Sequence, residues 1–124
     1  MIIRESAEDY LESILVLKKE NGAVRSIDIV NRLGYSKPSI SVAMKRLREN
    51  GYIRMDSNGY ITLTDSGLEI AERTYERHIV ISTLLMELGV ERETALEDAC
   101  RIEHVISPET FEKLKDAYKK RAPA

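Results

Sequence analysis

Residues 26–64, SIDIVNRLGYSKPSISVAMKRLRENGYIRMDSNGYITLT, limit the fold of this chain more than any other stretch. The first part reads as a short helix capped by Ser26, with Ile27, Val30 and Leu33 facing inward. Gly34 supplies a turn. A second helix follows, with Ser36 as its cap, Pro38 tolerated in the first turn and Gly51 as its stop. Ile40, Met44 and Leu47 recur at i, i+4 and i+7, which makes one apolar stripe for a core. Two short helices joined by a glycine-containing turn form a helix-turn-helix. The remaining residues predict two short strands around Asp56-Ser57-Asn58-Gly59, and Asn-Gly is a strong hairpin signal.

Upstream, SAEDYLESILVLKKENG predicts a helix capped by Ser6, with acids in its first turn and lysines in its last. Tyr10, Ile14 and Leu17 recur at helical spacing with Leu11 and Leu15 beside them, while Asp9 and Glu12 share another side. Three helices and a two-stranded wing describe a winged helix-turn-helix, expected over residues 1–64. Residues 65–124 predict an all-helical second domain: a long helix from Asp65 to about Leu88, another from about Glu93 to Ile106, and a last one starting at Ser107-Pro108. The whole is mainly α. Ile79, Ile81, Leu84, Leu85, Met86 and Leu88 crowd ten positions of the long helix, a density that suggests a dimer interface, although packing against the last two helices would also account for it.

Charge distribution favours a nucleic-acid partner for the first domain. The 124-residue chain has a net charge of −2. Yet Arg32, Lys37, Lys45, Arg46, Arg48 and Arg54 are opposed only by Glu49 in their interval. A recognition helix enters the major groove N-terminus first. Here it opens with Ser36, Lys37, Pro38 and Ser39, small or cationic residues that let the helix sit deep, and Lys37 suits a phosphate or a guanine edge. Ser41 and Val42 continue that side. Lys45, Arg46 and Arg48 suit backbone phosphates, and Asn58 and Tyr60 place the wing near an adjacent groove. A winged helix used only for protein contacts is the competing reading. The single cysteine excludes an intrachain disulfide framework and fits a reducing cytoplasm. No apolar run approaches a membrane span, and MIIRESAEDY lacks a signal-peptide core.

The stretch ACRIEH, residues 99–104, carries the second line of chemistry. In a helix, offsets of three and four bring Cys100, Glu103 and His104 to one face. A buried cysteine beside an ordinary polar pair would give the same letters. Asp9, Glu12 and His78 add carboxylate and imidazole donors, so the chain holds O, N and S ligands enough for one or two divalent ions. Spacing alone does not show that the helices meet. CRIEH is also close to the H-x-x-E-H arrangement of some zinc peptidases. Cysteine in place of the first histidine, and a winged helix such an enzyme would leave unexplained, argue against an enzyme.

Taken together, EDYLESI (8–14), SKPSISVAMKRLRENGYI (36–53), ITLTDSGLEIA (61–71), RH (77–78) and ACRIEHVIS (99–107) make the chain resemble the metal-dependent repressors of the diphtheria toxin repressor and manganese transport regulator type. The resemblance spans nearly all of the sequence. It implies a cytoplasmic homodimer that binds a palindromic DNA operator with Fe²⁺ or Mn²⁺ as corepressor, for which Co²⁺, Ni²⁺ or Zn²⁺ could substitute, and that represses metal-uptake genes. It implies that Asp9, Cys100, Glu103 and His104 line one metal position and that Glu12 and His78 add ligands to a neighbouring one. It also implies that the metal orders the first helix and sets the spacing of the recognition helices. A regulator indifferent to metal, or sensing another ligand, is the alternative.

The departures concern metal choice. Aspartate at position 9 and Glu12 follow the manganese branch, whereas cysteine at position 100 follows the iron branch. Ser82 and Leu96 stand where the iron branch places ancillary ligands. Thiolate favours Fe²⁺, Co²⁺ or Zn²⁺, and carboxylates favour Mn²⁺ and Fe²⁺, so Fe²⁺ ranks first and Mn²⁺ second. The SH3-like third domain of many iron-branch members has no counterpart in the 124 residues, so the chain reads as a short form or as part of a longer protein.

Overall fold

A computed structural model describes residues 5–121. The element order is α1 (Glu5–Asn21), α2 (Ser26–Leu33), α3 (Lys37–Glu49), β1 (Ile53–Met55), β2 (Ile61–Leu63), α4 (Asp65–Glu87), α5 (Arg92–Ile102) and α6 (Pro108–Lys120). The chain divides into two compact units, Met1–Arg73 and Thr74–Ala124, and the division falls within α4. Among the described residues, no helix is long and apolar enough to cross a membrane.

In the first unit, α1, α2 and α3 enclose Leu11, Ile14, Ile29, Ile40, Met44 and Leu47, each almost fully buried. The wing closes the same core with Ile53 and Ile61. Three details differ from the sequence reading. Helix α1 already includes Glu5, so Ser6 lies inside it rather than capping it. The cap of α2 is Arg25, not Ser26, because the Asp28 carboxylate accepts the Arg25 N–H at 2.9 Å and the Arg25 carbonyl accepts the Asp28 N–H at 3.0 Å. Ile27 is exposed, Val30 and Leu33 are half-buried, and Ile29 takes the core position. Between α2 and α3, Gly34 turns the chain at φ 75°, a left-handed value that favours glycine. Its N–H donates to the Val30 carbonyl at 2.8 Å. Ser36 caps α3 as expected, its Oγ accepting the Ser39 N–H at 3.2 Å.

The hairpin pairs Ile53 with Leu63, Arg54 with Thr62 and Met55 with Ile61, antiparallel. Asp56 Oδ1 accepts the N–H groups of Asn58 and Tyr60, both at 2.9 Å, which fixes the turn. Thr64 caps α4 by accepting the Gly67 N–H at 3.2 Å, and its own hydroxyl donates to the Gly51 carbonyl at 2.6 Å. Gly67 is required there for space: a Cβ would collide with the Tyr52 carbonyl oxygen.

In the second unit, Val80 and Ile81 of α4, Ala95 and Ala99 of α5, and Phe111 of α6 form the apolar interior. Ile79 and Leu88 of the crowded apolar stretch remain exposed. The Ser107-Pro108 start of α6 is as expected, with Ser107 Oγ accepting the Thr110 N–H at 3.1 Å. Helix α5, expected to reach Ile106, stops at Ile102. The Ile102 carbonyl is taken by the N–H groups of Val105 and Ile106, at 3.1 and 3.3 Å, which turns the chain toward α6.

Candidate metal centre and nucleic-acid interface

Helix α3 separates its two roles by face. Ile40, Met44 and Leu47 are buried, whereas Ser36, Lys37, Pro38, Ser39, Ser41, Val42, Lys45, Arg46 and Arg48 are all exposed. At its start the Ser36 hydroxyl donates to Ser39 Oγ at 2.8 Å, so the opening turn is tied before any partner arrives. A groove between α1 and α3 is lined by Tyr10, Pro38, Val42 and Arg46. The Tyr10 ring meets the Tyr35 ring edge-on, with centroids 6.1 Å apart. Burial first, then the neighbouring Tyr35 and Asp9, holds the Tyr10 hydroxyl above its ordinary pKa.

The wing exposes Asn58 and Tyr60. Two cations join them: Arg25, which the sequence did not single out, and Arg54, which it counted in the basic cluster without assigning it to the interface. The Arg25 guanidinium stacks 4.3 Å above the Tyr60 ring, brought there because the Val24 carbonyl accepts the Ile61 N–H at 2.7 Å. Arg54 projects from β1 beside Arg48, along a second groove that also includes Ser66. The basic cluster read from the sequence already contained Arg54, whereas Arg25 lies 35 residues from Tyr60 and gave no local signal.

Within the second unit, Cys100, Glu103 and His104 each present a ligand atom, and these atoms lie within 4.8 Å of one another. Glu103 is 1% exposed. Its residue sits just past α5 but keeps helical angles, φ −57° and ψ −25°, because its N–H still bonds the Ala99 carbonyl at 2.9 Å. The offsets of three and four therefore hold although the helix has ended. Glu103 Oε2 lies 3.0 Å from His78 Nδ1, and Oε1 lies 3.4 Å from His104 Nε2. With Glu103 ionised, Nδ1 of His78 carries the proton and the ring's lone pair is on Nε2, the arrangement common to metal-ligating histidines. A carboxylate so fully buried is costly without partners. One sulfur, one carboxylate and one imidazole around one point, with a second imidazole hydrogen-bonded to that carboxylate, suit a divalent transition ion. Asp9 and Glu12 are both half-buried on α1, in the first unit.

Comparison with known proteins agrees with both halves. The family model described as "Iron dependent repressor, N-terminal DNA binding domain" matches residues 3–61. That described as "Iron dependent repressor, metal binding and dimerisation domain" matches residues 64–122. The chain is 38% identical over 109 residues to the transcriptional regulator MntR of Salmonella typhimurium, covering 88% of this chain and 69% of the relative. It is 35% identical over 113 residues to an uncharacterized HTH-type transcriptional regulator of Methanocaldococcus jannaschii, covering 90% of each. A solved structure titled as a manganese-dependent transcriptional repressor complex with manganese superposes with a TM-score of 0.83 at 27% identity, covering 93% of this chain. The chain spans about half, 53%, of that structure's length.

Proposed function

The chain belongs to the iron-dependent repressor family, and from that premise we propose that it is a cytoplasmic, homodimeric repressor of metal-uptake genes that binds a palindromic operator when loaded with Fe²⁺ or Mn²⁺. The single observation that carries the reading is the convergence of Cys100, Glu103 and His104, with His78 on the same carboxylate. Its relatives are transcriptional regulators rather than enzymes.

In this reading Asp9, Cys100, Glu103 and His104 hold one ion, and Glu12 and His78 contribute to a second. A bound divalent cation supplies the positive charge that lets several anionic donors share a pocket. Without it the carboxylates of Asp9, Glu12 and Glu103 repel one another, which leaves α1 mobile. Drawn together, Asp9 and Glu12 tie α1 of the reading head to the ligands on α4 and α5. That tie sets the separation of the two recognition helices, which must match half-sites one helical turn, roughly 34 Å, apart or a multiple of it. Lys37 and Ser39 then face base edges, and Lys45, Arg46, Arg48, Arg25 and Arg54 face phosphates, with Asn58 and Tyr60 on the wing. We place the functional boundary between residues 64 and 65, where the second family match begins. By linkage, DNA tightens metal binding as much as metal tightens DNA binding.

Isothermal titration with Mn²⁺, anaerobic Fe²⁺ and Zn²⁺ tests this reading, repeated on Cys100→Glu. Wild type is expected to favour Fe²⁺ over Mn²⁺, and the variant to move preference toward Mn²⁺. No uptake of any ion by wild type would overturn the reading, and an unchanged preference in the variant would overturn the part given to the Cys100 sulfur.

A further inference from the structure

One side chain outside the ligand set grips the metal-site turn from below. The last carbonyls of a helix lack intrahelical donors and need partners from elsewhere. At the end of α5 that partner is Arg77. Its Nη1 donates to the Glu103 carbonyl at 3.0 Å and to the Ile106 carbonyl at 3.2 Å. Its guanidinium carbon lies 5.1 Å from the centre of the Phe111 ring. One cation therefore spans α4, the turn after α5, and α6.

Arg77 and His78 are consecutive, and both reach Glu103. Arg77 takes its main-chain carbonyl and His78 its carboxylate. The two grips differ in permanence. The His78–Glu103 contact runs through a carboxylate that is itself a candidate ligand, so it is the contact that ion binding at Glu103 would alter. The Arg77 contacts involve no ligand atom and need not change. A guanidinium also stays charged across the whole working pH range. We infer that Arg77 is a positioning residue for the metal centre: by pinning the 103–106 turn through its carbonyls, it keeps Glu103 and His104 in ligating register while their side chains exchange partners. The inference rests on the metal reading above and deepens it.

Three variants separate positioning from simple support of the fold. Arg77→Gln removes the double donor. Arg77→Lys keeps a cation but loses the planar fork and its stacking. Phe111→Leu removes the ring and leaves both carbonyl contacts. Mn²⁺ affinity is measured for each by titration with free Mn²⁺ read from its electron paramagnetic resonance signal, alongside the thermal midpoint of the metal-free chain. Partners of metal ligands are worth about 10- to 100-fold in affinity. Arg77→Gln should bind Mn²⁺ at least about tenfold more weakly, Arg77→Lys should fall between it and wild type, and Phe111→Leu should bind like wild type even where its midpoint drops. Equal affinity losses in Arg77→Gln and Phe111→Leu, or wild-type affinity in Arg77→Gln, would overturn the inference. If Arg77→Gln does not fold, Arg77→Lys decides, and wild-type affinity there overturns it. A wild-type chain that takes up no Mn²⁺ overturns the metal reading and this inference with it, whereas a binding wild type with an indifferent Arg77 overturns this inference alone.

Discussion

The His78 ring nitrogen Nδ1 lies 3.0 Å from Glu103 Oε2, joining α4 to the turn that ends α5 through a carboxylate that is 1% exposed. That pair orients the imidazole and, with Glu103 ionised, places the ring proton on Nδ1. His78→Ala is expected to weaken metal binding about 10- to 100-fold. Glu103→Gln keeps the shape and a hydrogen bond but loses the charge, and is expected to weaken it at least as much. Calorimetric titration with Mn²⁺ checks both. Affinity within twofold of wild type in either variant would count against the assignment.

The exposed face of α3 makes a separable statement about DNA. Lys45 and Arg46 lie beyond the opening turn and suit phosphates. Each alanine replacement should weaken binding about equally for specific and nonspecific duplexes and reduce the salt slope by about 1. Ser39→Ala, at the opening turn, should change sequence preference with little change in slope. Fluorescence anisotropy over a salt series distinguishes the two behaviours.

Gly67 packs against the Tyr52 carbonyl, leaving no room for a methyl group. The neighbour is backbone and cannot swing aside, so the start of α4 must shift. Gly67→Ala should destabilise the first unit by about 1–3 kcal/mol despite alanine's higher helix propensity. A urea melt showing equal or greater stability would refute the collision.

Lys115 donates to Glu76 at 2.6 Å, and that hydrogen bond, followed by the attraction itself, raises its pKa above the ordinary 10.5. A raised value means the folded state holds the proton more tightly. The contribution is complete below the unfolded-state value and disappears as pH rises through the folded one. Lys115→Met should therefore lower Tm slightly at neutral pH, and its gap to wild type should close above about pH 10.5. Thermal melts across pH 7–12 read this directly.

Much of this architecture was legible because its signals are local. Ile40, Met44 and Leu47 announced the buried side of α3, and Ser36 and Ser107 announced helix starts that the structure contains. Ser6 and Ser26 misled because serine is common both at caps and in first turns, and the Arg25–Asp28 exchange outcompeted the hydroxyl. The convergence of Cys100, Glu103 and His104 was readable from offsets of three and four, although α5 ends before two of them. The role of Arg77 was not readable. Its partners lie 26 and 29 residues away, and both are carbonyls, which every residue possesses. The collision at Gly67 was hidden for the same reason, since it depends on the backbone of Tyr52.

The central claim is that metal and DNA binding are coupled in this chain. The most direct test begins with a duplex selected from a random library in the presence of Mn²⁺. Its affinity is then measured by anisotropy with saturating Mn²⁺ and with chelator, for wild type and for His104→Ala. The account expects wild type to bind at least about 5- to 150-fold more tightly with Mn²⁺, the usual range of allosteric coupling, and His104→Ala to lose that difference. Equal affinity with metal and with chelator, or a full metal effect surviving in His104→Ala, would contradict it.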